Sequence, residues 1–153
     1  MARRLSPAGA ALIQQFEAYR PVGYLPTPND RPTAGWGHTG PDVKIGVEYS
    51  REQCEAWFAD DLAWAERAVD AHAPPGIAQN QFDALVSICF NIGAANFDAS
   101  TLLEDVTAGN DVDAANEFLR WDKQRGVMLA GLERRREAER ALFVTSGPVA
   151  ADA

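Results

Sequence analysis

The sequence predicts an α+β fold that is mostly α: a small β-rich lobe inserted between helices, with a cleft between it and a helical lobe. Three observations carry this prediction. Helix-start chemistry recurs at Ser6-Pro7, at Ser50-Arg51-Glu52-Gln53 and at Asp111, where a short polar side chain can accept from the free amides of a first turn. Between 20 and 47 the chain carries Pro21, Pro26, Pro28, Pro32 and Pro41 with Gly23, Gly35, Gly37, Gly40 and Gly46, which rules out a long helix there. From residue 50 onward the apolar residues return at helical spacing.

Each element follows in order. Ser6 caps a first helix that Pro7 opens, since a proline at the first helical position sacrifices no hydrogen bond. Ala11, Leu12 and Phe16 form its apolar stripe, and it is expected over 6–19, stopping before Pro21. Residues 20–47 form the β-rich lobe, with extended runs at 22–25, 33–36 and 43–47 separated by turn chemistry such as Pro28-Asn29-Asp30. The Ser50/Gln53 capping box opens a long connecting helix over 50–71, which Pro74-Pro75-Gly76 closes. Within 72–146, Phe82, Leu85, Val86, Ile88, Cys89 and Phe90 mark a helix at 79–91 that is buried on most sides. A loop is expected at 93–97, then helices from Ser100 to near Gly109, from Asp111 to Trp121, and from Leu132 to Val144. Residues 147–153 are expected to fray.

Bulk properties narrow the function. A chain of 153 residues, 46% hydrophobic and 24% charged, has the balance of one globular domain, 1–153, able to bury a core without cross-links. The net charge of −8 argues against nucleic acid as a partner, because phosphate recognition needs a basic surface; it lends no support to an anionic target either. No apolar stretch is long enough to span a bilayer, and Met1-Ala2-Arg3-Arg4 is followed by no apolar core or cleavage site, so neither stable membrane insertion nor a signal peptide is expected. Cys54 and Cys89 sit in helical, apolar stretches and read as free thiols, with a disulfide between them as the alternative if their Cα atoms lie about 4.4–6.8 Å apart. With His38 and His72 as the only histidines, no zinc spacing exists, and no metal or other cofactor is expected.

One residue stands out chemically. Glu17 falls in the last turn of the first helix, where the macrodipole opposes a carboxylate and favours the protonated acid. Around it the ordered segments resemble those of the phage-type lysozymes, or endolysins, of glycoside hydrolase family 24. Phe16-Glu17 is followed by Tyr24 and then Thr33-Ala34-Gly35-Trp36-Gly37-His38-Thr39-Gly40. Ser50 and Gln53 lead to Phe58 and Asp61-Leu62. Phe90-Asn91-Ile92-Gly93 precedes Phe97 and Ser100-Thr101-Leu102-Leu103. Phe118 and Trp121 precede Gly131-Leu132, Arg135-Arg136 and Glu139. The four segments span nearly the whole chain.

The resemblance implies a lysozyme-like catalytic domain that cuts the bond after N-acetylmuramic acid in peptidoglycan glycan strands, working as a monomer. It implies a glutamate, an aspartate and a threonine as the catalytic set, and Glu17 and Thr33 fit two of these. The usual aspartate position holds Leu25-Pro26-Thr27 here, and the nearest carboxylate is Asp30. Asp30 can accept the proton of a water held by Thr33; alternatively Pro28-Asn29-Asp30 is simply a turn. A carboxyl separation of about 6.5–9.5 Å would make the reaction inverting.

Gly37, Phe90, Asn91 and Trp121 are candidates for substrate contact, although Asn91 could instead cap its helix beside Gly93, and Trp121 could be core. His38 reads as a structural neighbour of the site, paired with an acid such as Asp61 or Asp70, and Arg135 as a second such neighbour. A lytic transglycosylase acting on the same bond and an inactive glycan-binding relative are the alternatives. The expected location is the host cytoplasm until a separate membrane-permeabilising protein releases the chain to the periplasm.

Overall fold

A computed structural model describes residues 2–145 and 150. By their internal contacts, residues 13–63 form one compact unit and the remaining described residues another.

Helix α1, Pro7–Phe16, begins where the Ser6-Pro7 signal places it. The Ser6 hydroxyl accepts from the Gly9 amide at 3.3 Å, and the buried Asp83 carboxylate accepts the Ser6 amide at 3.0 Å and the Ser6 hydroxyl. The helix stops three residues short of the expected end at Tyr19, because Arg20-Pro21 is already extended. Strands β1 (Arg20–Tyr24), β2 (Thr33–Gly35) and β3 (His38–Thr39) make an antiparallel sheet in the order β1-β2-β3. Tyr24 pairs with Thr33, and Thr33 in turn with Thr39.

The third extended run was expected at 43–47, but no strand forms there. Gly37 turns the chain so tightly that the third strand comes at once, at His38. The 43–47 segment then folds on itself through Val47 N–H to Lys44 O at 3.3 Å, touching β1 through a Val22–Glu48 bridge. Gly23 permits that approach: a Cβ there would lie 2.1 Å from the Lys44 carbonyl oxygen. Under the sheet, Ile13, Ala34, Trp36, Cys54, Trp57 and Phe58 are buried. Trp36 packs at a tilt against Tyr19, centroids 4.5 Å apart, and Phe58, 5.6 Å apart.

Helix α2, Arg51–His72, starts at the anticipated cap, with the Gln53 amide on the Ser50 hydroxyl at 3.0 Å. It carries Trp57, which is buried, and Trp64, which is 36% exposed. In the larger unit, α3 (Gln79–Ile92) has Phe82, Leu85, Val86, Ile88 and Cys89 fully buried. Residues 93–97, expected as a loop, include a short helix α4, Ala94–Asp98, entered through Gly93. Helix α5, Thr101–Ala108, is capped by Ser100 and closed by a left-handed Gly109. Helix α6, Asp111–Glu117, passes into a 3-10 turn, Phe118–Arg120.

Gly126, between the expected helices, is the turn of a hairpin joining β4 (Lys123–Gln124) to β5 (Val127–Met128). Helix α7, Ala130–Val144, packs most heavily against α3. Its last carbonyls are held by Asn80, whose amide donates to Leu142 O at 2.9 Å, Phe143 O at 3.0 Å and Thr145 O. This satisfies helix-end acceptors that would otherwise be buried alone. Of the tail expected to fray, 147–153, only Ala150 is described; it is buried, with its amide on Ile77 O at 2.9 Å, and the rest lies outside the described residues. Cys54 and Cys89 are free and buried. Among the described residues no helix is long and apolar enough to cross a membrane, and no cluster of His, Cys, Asp and Glu could hold a metal ion.

Candidate active site

Glu17 sits one residue beyond α1, yet its amide still reaches Ile13 O at 3.1 Å, so the helical hydrogen bonding fixes where its side chain departs. The side chain is half-buried. One of its carboxylate oxygens lies beside the Gly37 turn: a Cβ at Gly37 would stand 3.6 Å from Glu17 Oε2. Gly37 has φ +81°, a left-handed conformation that a residue with a Cβ adopts only at a cost, and its lack of a side chain leaves backbone, not bulk, next to the acid.

Thr33 opens β2 and is buried, 5% exposed. Its hydroxyl donates to Arg31 O at 2.9 Å. With the proton committed there, the oxygen's remaining capacity is as an acceptor. Asp30 is exposed. Its amide bonds Thr27 O at 3.0 Å and its Oδ2 accepts the Thr27 hydroxyl at 2.8 Å, so it takes part in the turn that the sequence offered as its alternative role, through one of its two carboxylate oxygens.

His38, directly after Gly37, is braced on three sides. Its ring lies flat on Trp57 at 4.4 Å and 10°, Nδ1 is 3.0 Å from Asp61 and Nε2 is 3.2 Å from Asp42. Asp61 is thus the paired acid, while Asp70 is bound to Arg3 at 2.6 Å instead. The two aspartates respond oppositely. Burial pushes the Asp61 carboxyl up against the pull of His38. At Asp42 burial also pushes up, but hydrogen bonds from His38, its own backbone and Trp57 outweigh it and hold the carboxyl below its usual value. Asp42 and Trp57 were not anticipated as His38's neighbours; a ring flanked by two acids carries no short-range sequence signature.

The candidate substrate contacts Phe90, Asn91 and Trp121 lie in the larger unit. Phe90 is half-buried beside Trp64, ring centroids 6.0 Å apart. The capping role open to Asn91 is filled by the Gly93 amide, which bonds Cys89 O at 2.8 Å. Asn91 is exposed and, with Asn96, Trp121, Lys123 and Gln124, lines a cavity of about 330 Å³. Trp121 is half-buried rather than core.

Both Arg135 and Arg136 turn inward. Arg135 is 5% exposed, with Nε 3.4 Å from Glu139. Arg136 and Glu139 are fully buried and joined at 2.7 Å, and Ser87 donates its hydroxyl to the same carboxylate. Burial pulls the Arg136 guanidinium down and pushes the Glu139 carboxyl up, each opposed by the other's charge. The i,i+3 spacing of Arg136 and Glu139 could have flagged this pair; the partner Ser87 could not be read from it.

The mostly helical chain with its small sheets carries a half-buried acid just beyond α1, a glycine turn beside it and a threonine opening β2. The phage lysozyme family model matches residues 14–139. The endolysin of Bacillus phage B103 is 42% identical over 142 residues, 92% of this chain, which spans only about 54% of that relative's length. The endolysin of Salmonella phage P22 is 39% identical over 146 residues, covering 93% of this chain and 99% of the relative. Among solved structures, the muramidase domain of SpmX from Asticaccaulis excentricus superposes with a TM-score of 0.84 at 36% identity, covering 94% of this chain and 99% of that one. The chain belongs to the phage lysozyme family.

Proposed function

We propose that this chain is an endolysin muramidase, hydrolysing the β-1,4 bond between N-acetylmuramic acid and N-acetylglucosamine in peptidoglycan. The observation that carries the reading is the placement of Glu17 at the foot of α1 with its carboxyl against the bare backbone of Gly37. In this reading Glu17 gives its proton to the glycosidic oxygen as the bond to the anomeric carbon breaks. A water hydrogen-bonded to the Thr33 oxygen adds to that carbon, and its proton passes to Asp30 through the carboxylate oxygen that Thr27 leaves open. Family membership and the endolysin relatives support the substrate class.

Gly37, Phe90, Asn91 and Trp121 are assigned to sugar contact, while His38 and Arg135 hold neighbouring structure. The chain acts as a monomer with neither nucleic acid nor a cofactor. It waits in the host cytoplasm and reaches the periplasm through a separate permeabilising protein, an assignment that fractionation finding unaided export would overturn.

The test is clearing of permeabilised Gram-negative cells by the parent and by Glu17→Gln, with mass spectrometry of the products. Loss of the acid should lower the rate at least about 100-fold, and the parent should release reducing ends. Equal clearing by both proteins defeats the role of Glu17. Anhydro ends from the parent would make the reaction a lytic transglycosylation, with no water added.

A further inference from the structure

The Ser87–Glu139–Arg136 cluster asks for an explanation that the proposed chemistry does not supply. A buried ion pair costs several interactions with water and is often replaceable by well-packed apolar side chains without loss of stability. Here three polar residues from α3 and α7 are each 0% exposed. The chain of contacts does not end within α7. Arg136 binds Glu139 through Nε at 2.7 Å and through Nη2 at 3.1 Å, and its remaining nitrogen, Nη1, donates to the backbone carbonyl of Trp121 at 3.5 Å. On the other side, the Ser87 hydroxyl ties the same carboxylate to α3, one helical turn before Asn91. Asn91 and Trp121 are two walls of the 330 Å³ cavity.

We propose that Arg136 and Glu139 are positioning residues for sugar recognition: together with Ser87 they fix the Trp121 backbone relative to the α3 face that bears Asn91. The inference rests on the assignment of Asn91 and Trp121 as sugar contacts. The guanidinium suits the task because its planar fork can grip a carboxylate on one side and a carbonyl on the other, which the single ammonium of lysine cannot do in one geometry. Trp121 needs such a tether, since it follows the short 3-10 turn and precedes an exposed hairpin, with no long helix to hold it. None of Ser87, Arg136 and Glu139 is assigned to the reaction itself, so in this proposal their effect falls on binding rather than on bond cleavage.

Arg136→Met separates this from a purely structural role, because Glu139 keeps Ser87 and Arg135 as partners. Rates are taken per folded molecule at a temperature where circular dichroism shows the variant folded. The expected result is a KM raised about tenfold with kcat within about twofold. Quenching of Trp121 emission by a chitooligosaccharide, isolated by subtracting Trp121→Phe, should move to correspondingly higher sugar concentration. Arg136→Lys should recover stability more than KM.

Ser87→Ala is the second variant should Arg136→Met not fold; it cuts the tie to α3 while leaving the ion pair, and should raise KM about threefold. KM unchanged per folded molecule, or KM and kcat falling together, overturns the proposal. If the parent binds sugar but cleaves nothing, the muramidase reading fails while the quenching measurement still decides this one.

Discussion

Asp83→Ala is the perturbation whose size the structure best defines. Asp83 is 1% exposed on α3 and its carboxylate accepts three hydrogen bonds, from the Ser6 amide at 3.0 Å, from the Ser6 hydroxyl, and from the Gln79 amide at 2.8 Å. Hydrogen bonds to a charged acceptor contribute about 1.5–3 kcal/mol each, but they are not additive when they share an acceptor. Alanine leaves the Ser6 amide without that acceptor and opens a small void. The combined loss should be about 3 kcal/mol. For a chain of this length 1 kcal/mol moves the melting temperature by about 2–4 °C, so calorimetry should record a fall of about 6–12 °C.

The same loss should be visible locally. Ser6 and Asp83 secure the start of α1, so amides of that helix should exchange up to about 100-fold faster in the variant, the factor to which about 3 kcal/mol corresponds. Asp83→Asn, which keeps one acceptor oxygen, should lose about half as much. A melting temperature lowered by less than about 2 °C in Asp83→Ala would refute the reasoning and show that solvent or a neighbouring group replaces the carboxylate.

Further outcomes follow from the site and the core. Asp30→Asn should lower kcat at least about 100-fold with little change in melting temperature if the residue accepts the water's proton; a loss under threefold would leave it as a turn residue bonded to Thr27. Gly37→Ala should cost about 1–2 kcal/mol from the left-handed backbone alone, because the added Cβ meets Glu17 only at 3.6 Å; a larger fall in the melting temperature would mean that the turn is more crowded than this.

Gly23→Ala should be far worse, since its Cβ would sit 2.1 Å from a backbone oxygen, and failure to destabilise would disprove that approach. Burial pushes the Cys89 thiol up to about 12, so the folded state keeps the proton that the unfolded chain releases above about 8.5. Stability should therefore decline by up to about 1.4 kcal/mol per pH unit from this group between those values. Cys89→Ala should show a shallower alkaline slope in denaturant titrations, and an unchanged slope would exclude the thiol as its source.

What could be read from the sequence was mostly local. Ser6-Pro7, the Ser50/Gln53 box and Gly109 are signals whose partners lie within four residues, and the helices begin or end where they stand. The third strand went astray because its placement depends on how tightly Gly37 turns, which composition does not reveal, and the β4–β5 hairpin was missed because two short exposed strands leave no periodicity. At the candidate site, Glu17 and Thr33 were nominated by the ordered segments alone. The Asp61 contact to His38 and the tie from Arg136 to Trp121 depend on atoms brought together by folding. Arg135 and Arg136 illustrate the limit: only Arg135 was singled out as a structural neighbour, and both are buried.

Every side chain assigned to breaking the bond, Glu17, Asp30 and Thr33, belongs to the unit formed by residues 13–63, whereas Phe90, Asn91 and Trp121 belong to the other. In the proposed reading, bond breaking and every assigned sugar contact except Gly37 are thus inherited on separate stretches of polypeptide. Under that assignment, drift confined to the first stretch would abolish cleavage while Phe90, Asn91 and Trp121 stayed in place to hold a sugar.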